Sequence, residues 1–74
     1  MGYIMQKCKI EIKAENKNKY VDWLYNSING KIAEIEGESG NVYKIKLIDG
    51  VIIDCAGNVR QNQWGIFKSD VIML

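Results

Sequence analysis

Residues 3–14, YIMQKCKIEIKA, alternate along the chain: Cys8, Ile10 and Ile12 fall on one side, and Lys7, Lys9, Glu11 and Lys13 on the other. A period of two predicts a half-buried strand with one wet face. Val42–Ile48 repeats the pattern, with Tyr43, Ile45 and Leu47 opposite Lys44 and Lys46. Over Lys31–Glu36 the strict period fails, because Ile32 and Ile35 are three apart; a bulge that brings both inside is predicted there. Val51–Cys55, Trp64–Phe67 and Val71–Leu74 are shorter strand-like runs. Turns separate them: Asn29-Gly30, a hairpin loop at Gly37–Asn41, a two-residue hairpin at Asp49-Gly50 with positive φ at its tip, and Lys68-Ser69-Asp70. Ala56–Gln63 is too polar for core and too long for a tight turn. Short strands punctuated in this way predict a small antiparallel meander or barrel.

Glu15–Lys19 is polar and turn-like. In Tyr20–Ile28, Val21, Leu24, Tyr25 and Ile28 match a helical stripe, with Asn18 placed to cap it and Asp22 adding an early-turn charge. Nine residues rich in Tyr, Val, Trp and Ile are indifferent helix formers. A helical turn or short helix crossing one end of the barrel is expected, with a long, partly ordered loop as the alternative.

Three stretches resemble the SH3-like small-barrel superfamily, in its small bacterial or phage form. They are Gly30-Lys31-Ile32-Ala33-Glu34-Ile35, Tyr43-Lys44-Ile45-Lys46-Leu47-Ile48-Asp49-Gly50 and Trp64-Gly65-Ile66-Phe67-Lys68-Ser69-Asp70-Val71. The resemblance implies a mainly β fold, an antiparallel barrel of five to six strands with one short helix near residues 20–28, as a single domain over residues 1–74. It transfers no active residues, since small barrels host unrelated functions. Peptide-binding members carry an ALYDY-like motif and a Trp early in the third strand. Here Leu24-Tyr25-Asn26 is a poor echo and Trp64 comes too late, so a proline-rich ligand is not expected.

Composition narrows the classes. Hydrophobic residues at 47% against 26% charged are globular, not disordered. No apolar run reaches the ~18 residues of a membrane helix, and no targeting segment is recognisable, so a cytoplasmic protein is expected. Net charge is +1, split as +3 over residues 1–31 (six Lys, three acids) and −2 over residues 32–74 (three Lys and Arg60, six acids). So mild an asymmetry describes a solvated surface. Nine Lys to one Arg, with twelve Ile and seven Asn, suggests the A/T-rich codons of a low-GC bacterium or its mobile elements.

The chain has no histidine and two cysteines, Cys8 and Cys55, both expected to be reduced, buried apolar side chains. No metal site, cofactor or catalytic residue is predicted: carboxylates are scattered, and neither thiol has a histidine to activate it. The Gly37–Gly40 loop lacks the Gly-Lys-Ser/Thr sequel of a phosphate cradle.

Two binding surfaces remain. Tyr20 and Trp23, expected to point outward, and Trp64 with Asn58 and Arg60 of the adjoining loop have the composition of a protein-contact hot spot. Lys7, Lys9, Lys13, Lys44 and Lys46 are the competing surface, a stacking-plus-phosphate face for nucleic acid; edge-strand lysines that discourage aggregation account for the same residues. A third reading is a self-assembling subunit, in which Tyr3-Ile4-Met5 and Val71–Leu74 pair between copies.

Overall fold

The computed structural model describes residues 6–74, and the Tyr3-Ile4-Met5 pairing expectation lies outside them. The fold is mainly β. Its elements are β1 (Lys7–Ile10), α1 (Asp22–Ile28), β2 (Ile32–Ser39), β3 (Val42–Leu47), β4 (Ile52–Ile53), β5 (Val59–Arg60), β6 (Gln63–Phe67) and β7 (Val71–Met73). Two 3₁₀ turns, Ala14–Lys19 and Lys68–Asp70, complete it. One sheet holds five antiparallel strands in the order β6-β3-β2-β1-β7, and β4 and β5 pair separately as a ribbon.

The alternating patterns set the burial. Cys8, Ile10, Ile12, Ile45 and Leu47 lie in the core, while Lys7, Lys44 and Lys46 face solvent. Leu24 and Ile28 of α1 and Ile52 of β4 close over that apolar face. A bulge does occur, between Ile35 and Gly37, but it leaves Ile32 and Ile35 half-buried and turns Ala33 fully inward. Ala33 lies opposite Cys8 of β1, and both are fully buried.

The tight hairpin is not where Asp49-Gly50 predicts it. Gly40-Asn41 joins β2 to β3, with Ser39 opposite Val42 and Gly40 at φ 59°, the arrangement of a two-residue turn with glycine first. At Asp49-Gly50, Gly50 does take a positive φ, but the chain leaves the sheet there: β4 pairs with β5, and β3 takes β6 as its neighbour. Cys55 is correspondingly exposed in the ribbon loop, not buried; both cysteines are free.

α1 confirms the helical reading of residues 20–28, with two changes. Asn18 belongs to the first 3₁₀ turn, so Val21 stands at the N-cap, where it is exposed. Tertiary bonds hold the other end of the helix. Ser27 Oγ accepts the Ile53 amide at 3.2 Å, and Asn29 Oδ1 accepts the Ile12 amide at 2.9 Å, pinning the C-terminal end of the helix to β4 and to the segment after β1. Gly30, at φ 81°, then turns the chain into β2.

The sheet is curled but does not close into a barrel. β6 and β7 sit at its opposite edges, which in a flat sheet lie about 19 Å apart. The 3₁₀ turn between them spans at most about 14 Å, so the edges must bend towards each other. They do not pair. The Phe67 amide on the outer side of β6 donates to the Tyr20 hydroxyl at 3.0 Å, so a side chain occupies the seam.

Candidate functional site

Trp23 comes from α1, Trp64 from β6 and Arg60 from β5. The ribbon brings them together because Ile52 anchors β4 in the core and Ser27 ties it to the helix. The two indoles meet edge to face, with ring centroids 5.7 Å apart and planes at 74°. The Arg60 guanidinium lies over Trp23, 5.4 Å from the ring centroid. Both indoles are half-buried, so each keeps an accessible face. Trp64 satisfies its ring N–H on the Gln61 carbonyl at 2.9 Å, which fixes its orientation.

Asp54 sets the position of Arg60. Its Oδ1 accepts the Ala56 amide at 2.9 Å and the Asn58 amide at 3.0 Å, and its Oδ2 lies 3.4 Å from Arg60 Nη1. The Asn58 amide first, then the Ala56 amide and the guanidinium, hold its carboxyl below the usual range. A long ion pair whose Arg60 half is open to solvent contributes little to stability by itself. Its consequence is geometric: the guanidinium is oriented before any partner arrives. Val51, Ile53 and Val59 are also exposed on or beside the ribbon, but Ile53 and Val59 pair with each other and face opposite to Arg60 and its partner Ile52.

The structure therefore assembles Trp23, Trp64 and Arg60 as one cluster, with Asn58 contributing backbone to the loop that carries it. Tyr20 does not belong to it. The expectation that Tyr20 points outward beside Trp23 fails: the residue is 8% exposed, packs edge-on against Phe67 with centroids 5.8 Å apart, and donates to Asp70. The preceding 3₁₀ turn swings it away from Trp23 and into the seam.

The lysines divide. Lys7, Lys9, Lys44 and Lys46 share the wet face of the sheet, but β2 runs between their strands. Glu34 lies opposite both Lys7 and Lys46, and Glu36 accepts from Gln63 at 2.8 Å. The face alternates in sign and forms no basic track. Lys13 stands apart from it, donating to the Ser69 carbonyl. Lys17, Lys19 and Lys68 lie over the rings of Tyr25, Phe67 and Tyr43.

One polar cluster escaped the sequence reading. Asp70, fully buried, accepts from Asn16 Nδ2 and the Lys13 amide, each at 3.0 Å, and from the Tyr20 hydroxyl at 2.9 Å. Burial opposes its charge, but the three donors outweigh that and hold the carboxyl below its ordinary value. Burial and the adjoining carboxylate push Tyr20 up to about 12. Every partner is satisfied internally, which marks a structural clamp. The only hint in the sequence is a lone Asp before an apolar strand.

Among the described residues, no group of three or more His, Cys, Asp and Glu side chains gathers to hold a metal ion. An open depression beside Ile35, Tyr43 and Met73, rimmed by Glu36 and Glu38, lies away from the aromatic cluster. Among the described residues, no helix is long and apolar enough to cross a membrane.

No family model, curated protein or solved structure matches this chain. The geometry of its own side chains is what bears on function.

Proposed function

We propose that this protein is a non-catalytic protein-interaction module, a small regulatory or accessory protein of a bacterium or its mobile elements, working in the cytoplasm. The observation that carries the reading is the Arg60–Trp23–Trp64 stack. Trp and Arg are the residues most enriched where binding energy concentrates. Here the guanidinium is steered by Asp54, and the two rings brace each other. The SH3-like resemblance belongs to the same proposal. It draws support from the β1-β2-β3-β6 succession and from the short 3₁₀ turn before β7.

Nucleic-acid binding through Lys7, Lys9, Lys13, Lys44 and Lys46 is the weaker proposal, because glutamates of β2 interrupt the lysine face. A protein that neutralises several phosphates loses affinity steeply with salt. The test is capture of partners from host lysate, with and without nuclease and at two salt concentrations. A protein recovered under all conditions, and lost with Trp23→Ala or Arg60→Ala in a folded chain, supports the module. Recovery abolished by nuclease overturns it in favour of the lysine face.

A further inference from the structure

The two edges of the main sheet are finished differently. In an antiparallel sheet, residues alternate between those whose amide and carbonyl face one neighbour and those whose groups face the other. On β6, the bond from the Leu47 amide to the Asn62 carbonyl and the pairing of Ile45 with Trp64 leave Gln63, Gly65 and Phe67 facing outward. The Phe67 amide of that set is taken by the Tyr20 hydroxyl. Ring and hydroxyl together block the end of that edge.

Among the described residues, no side chain or strand bonds to the outward backbone groups of β7. The Leu74 amide donates to the Lys7 carbonyl at 3.1 Å, and the Glu11 amide to the Asp70 carbonyl at 2.8 Å, so the Ile72 groups between them face β1. Those of Val71 and Met73 face away, and among the described residues no strand pairs with that side. Natural edges are usually defended by Lys, Pro or a bulge. β7 has none of these in Val71-Ile72-Met73, and Ile72, Met73 and Leu74 are 48%, 46% and 65% exposed.

We propose that β7 is the contact of a homodimer, in which two copies pair their β7 strands antiparallel about a two-fold axis through Ile72. The register is self-complementary. The open backbone groups at Val71 and Met73 flank Ile72 symmetrically, so Val71 exchanges bonds with the partner's Met73, and Met73 with the partner's Val71. Ile72 meets the partner's Ile72 at the close, non-hydrogen-bonded position. Each cross-strand pair at the axis is apolar, and an apolar pair directly opposite stabilises a sheet. A second copy satisfies this pattern residue for residue. Three residues a side fall well short of the ~800 Å² per partner of stable complexes, so the dimer is a weak one. The site is separate from the Trp23–Arg60 cluster and stands or falls independently of it.

Sedimentation equilibrium of the full chain from low micromolar to millimolar concentration tests this, with amide exchange followed in the same samples. The expected result is a mass rising from 8.5 kDa towards twice that value, with exchange at Val71 and Met73 slowing as concentration rises. Ile72→Lys weakens the association at least about tenfold, since like charges then face each other across the axis. Val59→Lys, on the other surface, leaves it unchanged. A constant monomer mass over the whole range overturns the proposal. So does a dimer whose Val71 and Met73 amides exchange at a concentration-independent rate, a readout on the unmodified chain that needs no variant to fold.

Discussion

The Tyr20 hydroxyl donates to Asp70 Oδ2 at 2.9 Å across fifty positions of sequence, with both side chains buried. The same oxygen accepts the Phe67 amide, so a single phenol joins the loop after β1, the outer edge of β6 and the turn into β7. This contact caps the end of the outer edge of β6, beside the turn that leads into β7.

Tyr20→Phe keeps the ring against Phe67 and removes only the hydroxyl. It leaves a buried carboxylate short of one donor and a strand amide unpaired. The expected loss is about 1–3 kcal/mol, read from urea denaturation. A stability equal to wild type would show that the clamp is dispensable.

The clamp also predicts how stability follows pH. Asp70 has a depressed folded-state pKa, so its contribution is complete above the unfolded value near ~3.9 and drains away as pH falls through the folded one. Tyr20 is raised to about 12, so its contribution is complete below the unfolded value near ~10 and is lost between there and about 12. Denaturation midpoints should be flat through the neutral range and fall at both extremes. Tyr20→Phe should remove the part of the alkaline fall that belongs to the phenol.

The cysteines should separate sharply towards a thiol reagent. Cys55 is exposed, whereas Cys8 is fully buried between β2 and β7, with its thiol pushed up by that burial. One equivalent is expected to react at once and the second only on unfolding. Two fast equivalents would mean that β7 opens readily.

At the aromatic cluster, Asp54→Ala should reduce partner capture without touching a tryptophan, because it releases Arg60 and the Asn58 amide together. Some stability should go with it, because the Asp54 side chain is only 12% exposed and accepts two loop amides, so the comparison is made on chains shown to be folded. Capture unaffected by Asp54→Ala but lost with Trp23→Ala would put the energy in the indoles alone.

Gly40, at φ 59°, occupies the left-handed region that β-branched residues avoid. Gly40→Val is expected to cost on the order of 1–2 kcal/mol through backbone strain, since nothing lies within 4 Å to clash with a Cβ. Gly37→Ala, with no positive φ and equally open space, should be close to neutral in thermal melts.

Local pattern determined a good deal by itself. Period-two alternation placed Cys8, Ile10, Ile12, Ile45 and Leu47 inside, because in a strand the face of every side chain follows from the first. The stripe in Tyr20–Ile28 likewise announced α1. Trp23, Trp64 and Arg60 were identifiable as interaction residues by type, though nothing in the chain said that they stack. What tertiary structure alone decided were the contacts between residues far apart in sequence. Asp49-Gly50 turns as its residues prefer, but whether β4 pairs with β3 or with β5 depends on Ile52 finding the core beneath α1. Tyr20 has an amphipathic side chain that suits a surface or a seam equally well. It is buried because Asp70 and the Phe67 amide, some fifty residues on, supply partners for its hydroxyl at the end of β6.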